Sequence, residues 1–209
     1  MMRSIITIGR QTGSGGRQIG RLIADRLGIP FYDNNLLERA AKESGFCEEI
    51  LEQHDEKPTN SFLYSLVMGN GFGYGATGFT GLPLEHKVFQ AQFEAIRSIA
   101  QEGPCVIVGR CADYALEGFA PLFSTFIHAS EDDRAKTLMT RHADLTLTKA
   151  HDQILRNDKK RSSYYNYYTN KKWGASLSYD LCLNSSVLGI EGCADLIIKA
   201  CALKDGIEG

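Results

Sequence analysis

Five short apolar runs recur along the chain, and each is nearly continuous rather than alternating with polar residues. The runs cover residues 4–8, 29–33, 105–109, 123–129 and 180–184. Strands that are apolar on both faces are typical of a parallel sheet that is covered by helices on both sides. The pattern therefore predicts five buried parallel strands.

Segments with a helical period separate these runs. The predicted helices cover residues 17–28, 34–45, 84–102, 131–142, 148–168 and 189–203. Gly28 and Gly45 are placed to end the first two helices, and Ser130 with Asp133 forms a capping-box pattern at the fourth. Buried strands that alternate with amphipathic helices indicate an α/β protein.

Residues 69–81 depart from this rhythm, because six of the thirteen positions are glycine. Such a segment cannot be a regular element. We interpret it as a mobile loop within an insert after the second strand, and a surface loop without a functional role is an equally open interpretation.

Composition and charge narrow the possibilities. A chain of 209 residues suits one domain, and a formal charge of −2 gives no overall attraction to nucleic acid or membranes. No leader-like segment or membrane-length apolar run is visible, so we expect a cytoplasmic protein without a membrane partner. The six cysteines show no C-x-x-C pair, and we expect them to be reduced and mostly buried.

A glycine-rich stretch, "IGRQTGSGGRQIG" (Ile8–Gly20), joins the first strand to the first helix. Consecutive amides in such a loop, at the positive end of a helix, can bind an anion. Aligned with the phosphate-loop pattern G-x-x-x-x-G-K-[ST], Arg10 stands at the first glycine, Gly16 at the lysine and Arg17 at the Ser/Thr. A purely structural turn is the alternative interpretation.

Two further strand ends carry arginine near aspartate. Asp33 is followed six residues later by Arg39, and "VGRCAD" supplies Arg110 and Asp113. Ligands bind at the carboxyl ends of strands in parallel sheets, and a guanidinium binds two phosphate oxygens at once. These side chains are therefore candidates for binding a phosphate, although surface ion pairs would explain each arginine alone.

The segment Arg156–Trp173 contains a dense cluster of basic residues interleaved with tyrosines. Such a pattern is found in proteins that bind RNA. Tyrosines at helical spacing more often pack in a core or an interface, and the acidic balance of the chain argues against nucleic acid. The tyrosine-rich helix is compatible with a homodimer.

Taken together, "RQTGSGGRQIGRLIADRLGIPFYD", "VIVGRCADY", "YYNYYTNKKWG" and "YDLCLNSSVLGIEG" resemble the cytidylate kinase-like branch of the P-loop nucleoside monophosphate kinases. The resemblance implies a P-loop NTPase three-layer α/β/α fold whose five-stranded parallel sheet has the order 2-3-1-4-5. It also implies one kinase-like domain, with a core at 1–33, 103–150 and 175–209, a helical acceptor-binding insert at about 34–102 and a lid at about 151–174.

The same resemblance implies ATP and Mg²⁺ as cofactors, a small-molecule phosphate acceptor, and roles for individual residues. Asp33, Arg39, Arg110 and Asp113 fall at acceptor-binding positions. In the lid, Asp158 and Arg161 repeat a D-x-x-R spacing, so that Arg161, and secondarily Lys160, would contact the transferred phosphoryl group. The donor phosphates would lie on the loop formed by Gly13, Ser14, Gly15, Gly16, Arg17 and Gln18.

The loop also departs from the family pattern. True cytidylate kinases carry lysine where this chain has Gly16, and a threonine that often helps order magnesium where it has Gln18. Cys111 also replaces the aspartate of the family's G-R-D motif. Arg17 is a candidate substitute for the lysine. The sequence therefore leaves two main hypotheses, a kinase for a CMP-like nucleoside monophosphate or related acceptor, and a nucleotide-binding sensor with weakened catalysis.

Overall fold

Five parallel strands form the centre of the computed structural model, which describes residues 3–33, 35–45, 84–119 and 121–207. The strands are β1 (Ile5–Arg10), β2 (Phe31–Tyr32), β3 (Val106–Val108), β4 (Leu122–His128) and β5 (Leu181–Asn184). They pair in parallel in the order β2-β3-β1-β4-β5. The predicted fold and strand order are confirmed.

Helices connect the strands and cover both faces of the sheet. Within the described ranges they are α1 (Gly16–Leu27), α2 (Asn35–Ser44), α3 (Leu84–Glu102), α4 (Ala112–Ala115), α5 (Glu131–Arg141), α6 (Leu147–Thr169) and α7 (Ser185–Lys204). A 3₁₀ turn covers Ser176–Ser178. Helix α7 begins four residues before the predicted start at 189, because it continues across a bend at Gly189 (φ 66°). The short α4 has too few residues to show a period.

The helix ends follow the predicted signals with one difference. Gly28 and Gly45 have left-handed backbones and end α1 and α2. Ser130 caps α5 by accepting the amide of Asp133 at 3.2 Å. The expected return bond of a capping box is absent, because the Ser130 amide donates to Ser186 Oγ and the Asp133 carboxylate accepts the Ser130 hydroxyl.

Alternate residues of the central strand supply the two faces of the core. Ile5 packs with α2, α3 and α4, whereas Ile6 and Ile8 pack with α1 and α7. This arrangement follows from the two-residue side-chain period of a strand, and it explains why the run is apolar almost throughout.

Helix α6 covers most of the predicted lid region, 151–174, and ends at Thr169. Its first part packs on α5 through Ala150 and Ile154, and its later tyrosines, Tyr164 and Tyr165, pack with Phe126 of β4. The tyrosines are thus core residues of this face, as expected from their helical spacing. The glycine-rich segment 69–81 lies outside the described residues.

The cysteines of the described part of the chain are all free, as expected for reduced thiols. Four of the five are buried, namely Cys105, Cys111, Cys193 and Cys201. Within the same residues, no helix combines the length and the apolar character that crossing a membrane requires.

Candidate functional site

The loop between β1 and α1 has the backbone geometry of an anion-binding turn. Gly13 (φ 80°) and Gly15 (φ 79°) are left-handed, and Gly15 caps α1 without a side-chain hydrogen bond. The first turn of a helix has amides without intrahelical acceptors. The amides that follow Gly15 therefore provide donors at the positive end of α1, where a phosphate binds well.

Neighbouring elements require glycine in this loop. A Cβ atom on Gly13 would lie 2.6 Å from the Arg134 carbonyl oxygen of α5, and one on Gly15 would collide with Cδ1 of Ile190. Ser185 Oγ also donates to the Ser14 carbonyl at 2.8 Å. The loop is thus packed closely between α5 and α7.

Asp158 and Arg161, the D-x-x-R pair of α6, both form hydrogen bonds with Thr12 of the glycine loop. The Asp158 carboxylate accepts the Thr12 amide at 2.7 Å and pairs with Arg134 through its second oxygen. One turn further, Arg161 Nη1 donates to Thr12 Oγ1 at 3.1 Å. The predicted lid helix is therefore in contact with the glycine loop. Of the two residues in the D-x-x-R spacing, Asp158 is the one that binds the backbone of that loop.

A cleft of about 240 Å³ opens beside the loop at the carboxyl edge of the sheet. Four arginines from four different elements or loops line it, together with the carboxylate of Asp33. The arginines are Arg10, Arg17, Arg141 and Arg161. A concave site with this excess of positive charge attracts a polyphosphate.

Asp33 joins two of the predicted site residues. Its carboxylate is 2.6 Å from Arg17 Nε and 3.7 Å from Arg110 Nη1. Arg110 also donates to the Asp33 carbonyl at 2.8 Å. The side chains of Asp33 and Arg110 are 7% and 3% exposed, whereas that of Arg17 is 60% exposed. Asp33 therefore positions one buried and one accessible guanidinium.

An inner chamber lies behind the cleft, next to Arg110, Asp113 and Tyr165. It has a volume of about 20 Å³, which is room for about one water molecule. Tyr165 donates to the Asp113 carboxylate at 2.6 Å, and burial raises the pKa of Asp113.

Positive φ angles at Gly109, Arg110 and Cys111 turn the chain sharply after β3. Such strained backbone is concentrated at functional sites.

Four of the predicted residues line neither cavity, and one of them, Ser14, is buried in the loop, where its hydroxyl donates to the Gln11 carbonyl at 2.9 Å. The Arg39 guanidinium is paired with Glu43 and Glu102 on α2 and α3, and it lines neither the cleft nor the inner chamber. Lys160 and Gln18 are exposed and also line neither. A role for Arg39 in binding the acceptor stays a prediction, and it would require this arginine to leave its present partners.

Arg10 and Arg141 also line the cleft, although neither was predicted from the sequence to be a site residue. Arg141 lies on the last turn of α5. Basic residues are favourable at that end of any helix because they interact with the helix dipole, so the sequence does not indicate a binding role. Arg10 is the last residue of β1, directly before the loop. It occupies the first position of the phosphate-loop pattern, which is usually glycine, and this departure is the feature of the sequence that could have identified it. The described residues contain no cluster of three or more metal-ligating side chains.

The chain is similar in sequence and fold to several known proteins. The model of the cytidylate kinase-like family matches residues 5–187. A cytidylate kinase from Methanococcus aeolicus is 25% identical over 203 residues, which are 96% of this chain and 98% of that protein. A solved structure of an uncharacterized protein from Eubacterium ventriosum is 27% identical, covers 95% of this chain and 98% of its own, and has a TM-score of 0.71.

Two solved kinases share the fold at lower identity. A shikimate kinase from Bacteroides thetaiotaomicron is 15% identical, with a TM-score of 0.53 over 96% of this chain and 98% of its own. A gluconokinase from Sinorhizobium meliloti is also 15% identical, with a TM-score of 0.52 over 97% and 93% of the two chains. With the family match spanning most of the sequence, the chain belongs to the cytidylate kinase-like family.

Proposed function

We propose that this protein is an ATP-dependent kinase that phosphorylates a nucleoside monophosphate, of which CMP is the reference case, or a related small acceptor. The observation that carries this proposal is the cleft in which four guanidinium groups gather around a left-handed glycine loop. Membership of a kinase-like family supports phosphoryl transfer as the reaction class.

The loop fits the phosphates of the donor nucleotide. Residues 13–18 supply amides at the start of α1, and Arg17 of α1 and Arg161 of α6 supply charge to the cleft. The described residues lack a ready set of metal ligands. Mg²⁺ keeps several waters and binds substrate phosphates readily, so we propose that it enters with ATP.

The acceptor is proposed to bind on the side of Arg110, Asp33 and Asp113. The inner chamber is too small for it in this arrangement, so α6 would have to move outward for entry. After closure, an acceptor phosphate oxygen bonds to the γ-phosphorus while the bond to the β–γ bridging oxygen breaks and its electron pair stays on ADP. An ionised phosphate needs no base, so the residues contribute position and charge.

We further propose one kinase-like domain with a core at 1–33, 103–150 and 175–209, an acceptor-binding insert at about 34–102 and a lid at about 151–174. Contact between α6 and the glycine loop supports the lid assignment. Lid closure would exclude water and so suppress hydrolysis of ATP. Because the donor is ATP and the described cysteines are free thiols, we place the reaction in the cytoplasm.

A panel of nucleoside monophosphates and other small phosphate acceptors with ATP and Mg²⁺ tests the proposal by ADP formation. We expect turnover with at least one acceptor and little ADP without one. Stabilisation against heat by ATP, with no turnover on any acceptor, would instead support the nucleotide sensor that the missing lysine suggests. No stabilisation by ATP and no turnover would contradict both functions.

A further inference from the structure

The loop lacks a lysine at position 16, and the structure shows what stands in that space. We propose that Arg10, the last residue of β1, supplies the cation that contacts the donor phosphates where related loops use lysine. The inference rests on the proposed function and assigns a catalytic residue to the same site. It depends on the position of the Arg10 side chain, which lies against Gly16 and Gly109.

The first glycine is Gly16. A Cβ atom built there would lie 2.6 Å from Cβ and 3.2 Å from Cγ of Arg10. Non-bonded carbon atoms sit about 3.5–4.0 Å apart at their optimal distance. A side chain on residue 16 and the arginine at residue 10 would therefore begin in the same space. The arrangement excludes lysine at residue 16 as long as Arg10 is present.

The second glycine is Gly109, at the end of β3. A Cβ atom on it would lie 2.7 Å from Cζ and 3.1 Å from Nη2 of Arg10. Gly109 thus makes room for the guanidinium as Gly16 makes room for the stem. The charged group consequently lies between the glycine loop and the strand end that carries Arg110.

This position suits a group that acts on the transferred phosphate. Among the described residues, only Arg10 and Arg161 line both the cleft and the inner chamber. A phosphoryl group moves between donor and acceptor, so a cation at the junction of the two spaces can neutralise its oxygens throughout transfer. Arg10 transfers no proton in this role.

Arg17 is the competing candidate from sequence, and its surroundings differ. Its side chain is 60% exposed and its Nε is 2.6 Å from the Asp33 carboxylate. Arg10 is instead confined along its length, with its stem against Gly16 and its guanidinium against Gly109. A side chain confined by its surroundings loses less freedom on binding a ligand, which favours Arg10 for the central position.

The first test replaces Arg10 with alanine and with lysine. We expect Arg10→Ala to lower kcat/KM for ATP by about 100-fold or more, the scale for loss of one oxyanion donor. Affinity for pyrophosphate, measured by calorimetry without any acceptor, should fall with it. Arg10→Lys should retain part of both because the charge remains. Arg26→Ala, at the far end of α1 in a surface ion pair, is the matched control and should change neither.

The second test moves the cation back to the lysine position. Gly16→Lys alone should lower thermal stability and pyrophosphate affinity because of the collision. The double variant Arg10→Gly/Gly16→Lys removes the obstacle and should recover at least tenfold in pyrophosphate affinity over Arg10→Gly. The double variant Arg10→Ala/Gly16→Lys should recover less, because the Cβ of residue 10 is itself 2.6 Å from the new side chain.

The outcomes separate this inference from the proposed kinase activity. If the wild type phosphorylates an acceptor and Arg10→Ala, still folded by circular dichroism, keeps its rate and its pyrophosphate affinity, the inference is wrong and the function stands. The same holds if Arg17→Ala abolishes both while Arg10→Ala does not. If no acceptor is phosphorylated, pyrophosphate affinity still decides the role of Arg10. If the wild type does not bind pyrophosphate, the inference is wrong, whereas the proposed function is overturned only if ATP neither stabilises the protein nor is consumed with any acceptor.

Discussion

Replacing Asp158 with alanine should loosen the glycine loop and destabilise the whole protein. The carboxylate accepts the Thr12 amide at 2.7 Å and pairs with Arg134, whose side chain is 9% exposed while that of Asp158 is 15% exposed. Alanine leaves a buried guanidinium and a loop amide without this partner. Both losses act on the element that is proposed to bind phosphate.

The size of the effect follows from the two contacts. A hydrogen bond to a charged group contributes about 1.5–3 kcal/mol, and breaking a buried ion pair costs about 3–5 kcal/mol. Because some water reaches the pair and the two losses overlap, we expect about 3 kcal/mol in the free energy of unfolding. For a chain of this length, that corresponds to a fall in Tm of about 6–12 °C.

Thermal unfolding followed by circular dichroism, with and without pyrophosphate, measures both consequences. Asp158→Asn keeps an oxygen for the Thr12 amide but loses the charge, so its Tm should lie between those of wild type and Asp158→Ala. Asp152→Ala is the matched control, since Asp152 is exposed on the same helix, and it should change stability by less than about 0.5 kcal/mol.

Two results would refute this reasoning. One is a Tm of Asp158→Ala within about 2 °C of wild type, which on the same scale is about 1 kcal/mol or less. The other is additivity of Asp158→Asn and Arg134→Met within about 0.5 kcal/mol, because residues in one ion pair should show a larger coupling energy.

Further predictions follow from other parts of the structure. Gly13→Ala should destabilise by about 2–4 kcal/mol, since it combines a left-handed backbone with a collision; Gly28 has φ 63°, but an added Cβ would have no atom of the described residues within 4 Å, so chemical denaturation of Gly28→Ala should show a smaller loss. Burial raises the pKa of Asp113 above its ordinary value of 3.8, so the folded state holds this proton more tightly, and the contribution of this group to stability is lost as pH rises from that value through the raised pKa. The Tm of Asp113→Asn relative to that of wild type should therefore rise over that window, and a difference independent of pH would contradict this. Burial, with the charge of Glu102, raises the pKa of Cys105 to about 12, so alkylation at pH 8 followed by mass spectrometry should label this thiol only after unfolding.

The sheet and most of its helices could be predicted from the sequence pattern alone. Continuous apolar runs can be buried on both faces only if helices cover both faces, so the pattern predicted a parallel sheet before any contact was known. Glycines also carried local information, because a helix that ends in a left-handed residue favours glycine there, as at Gly28 and Gly45. Residues 84–102 were predicted with the observed bounds because a long amphipathic period leaves little ambiguity.

The distribution of the arginines, by contrast, could not be predicted without the packing of distant segments. Arg39 follows Asp33 by six residues, yet α2 turns it toward Glu43 and Glu102 instead of the cleft. Arg141 is distant in sequence from the loop and still lines it. A helix position specifies a face, but which other element meets that face depends on packing between segments far apart in the chain.

The steric exclusion between Arg10 and Gly16 shows the same limit at atomic scale. In the sequence, glycine at position 16, where lysine is expected, indicates only that a positive charge is missing. In the structure, the stem of an arginine from the neighbouring strand end occupies the space above that glycine. Local patterns record which residues follow one another, whereas the volume that a side chain occupies is set by where the strand and the helix meet.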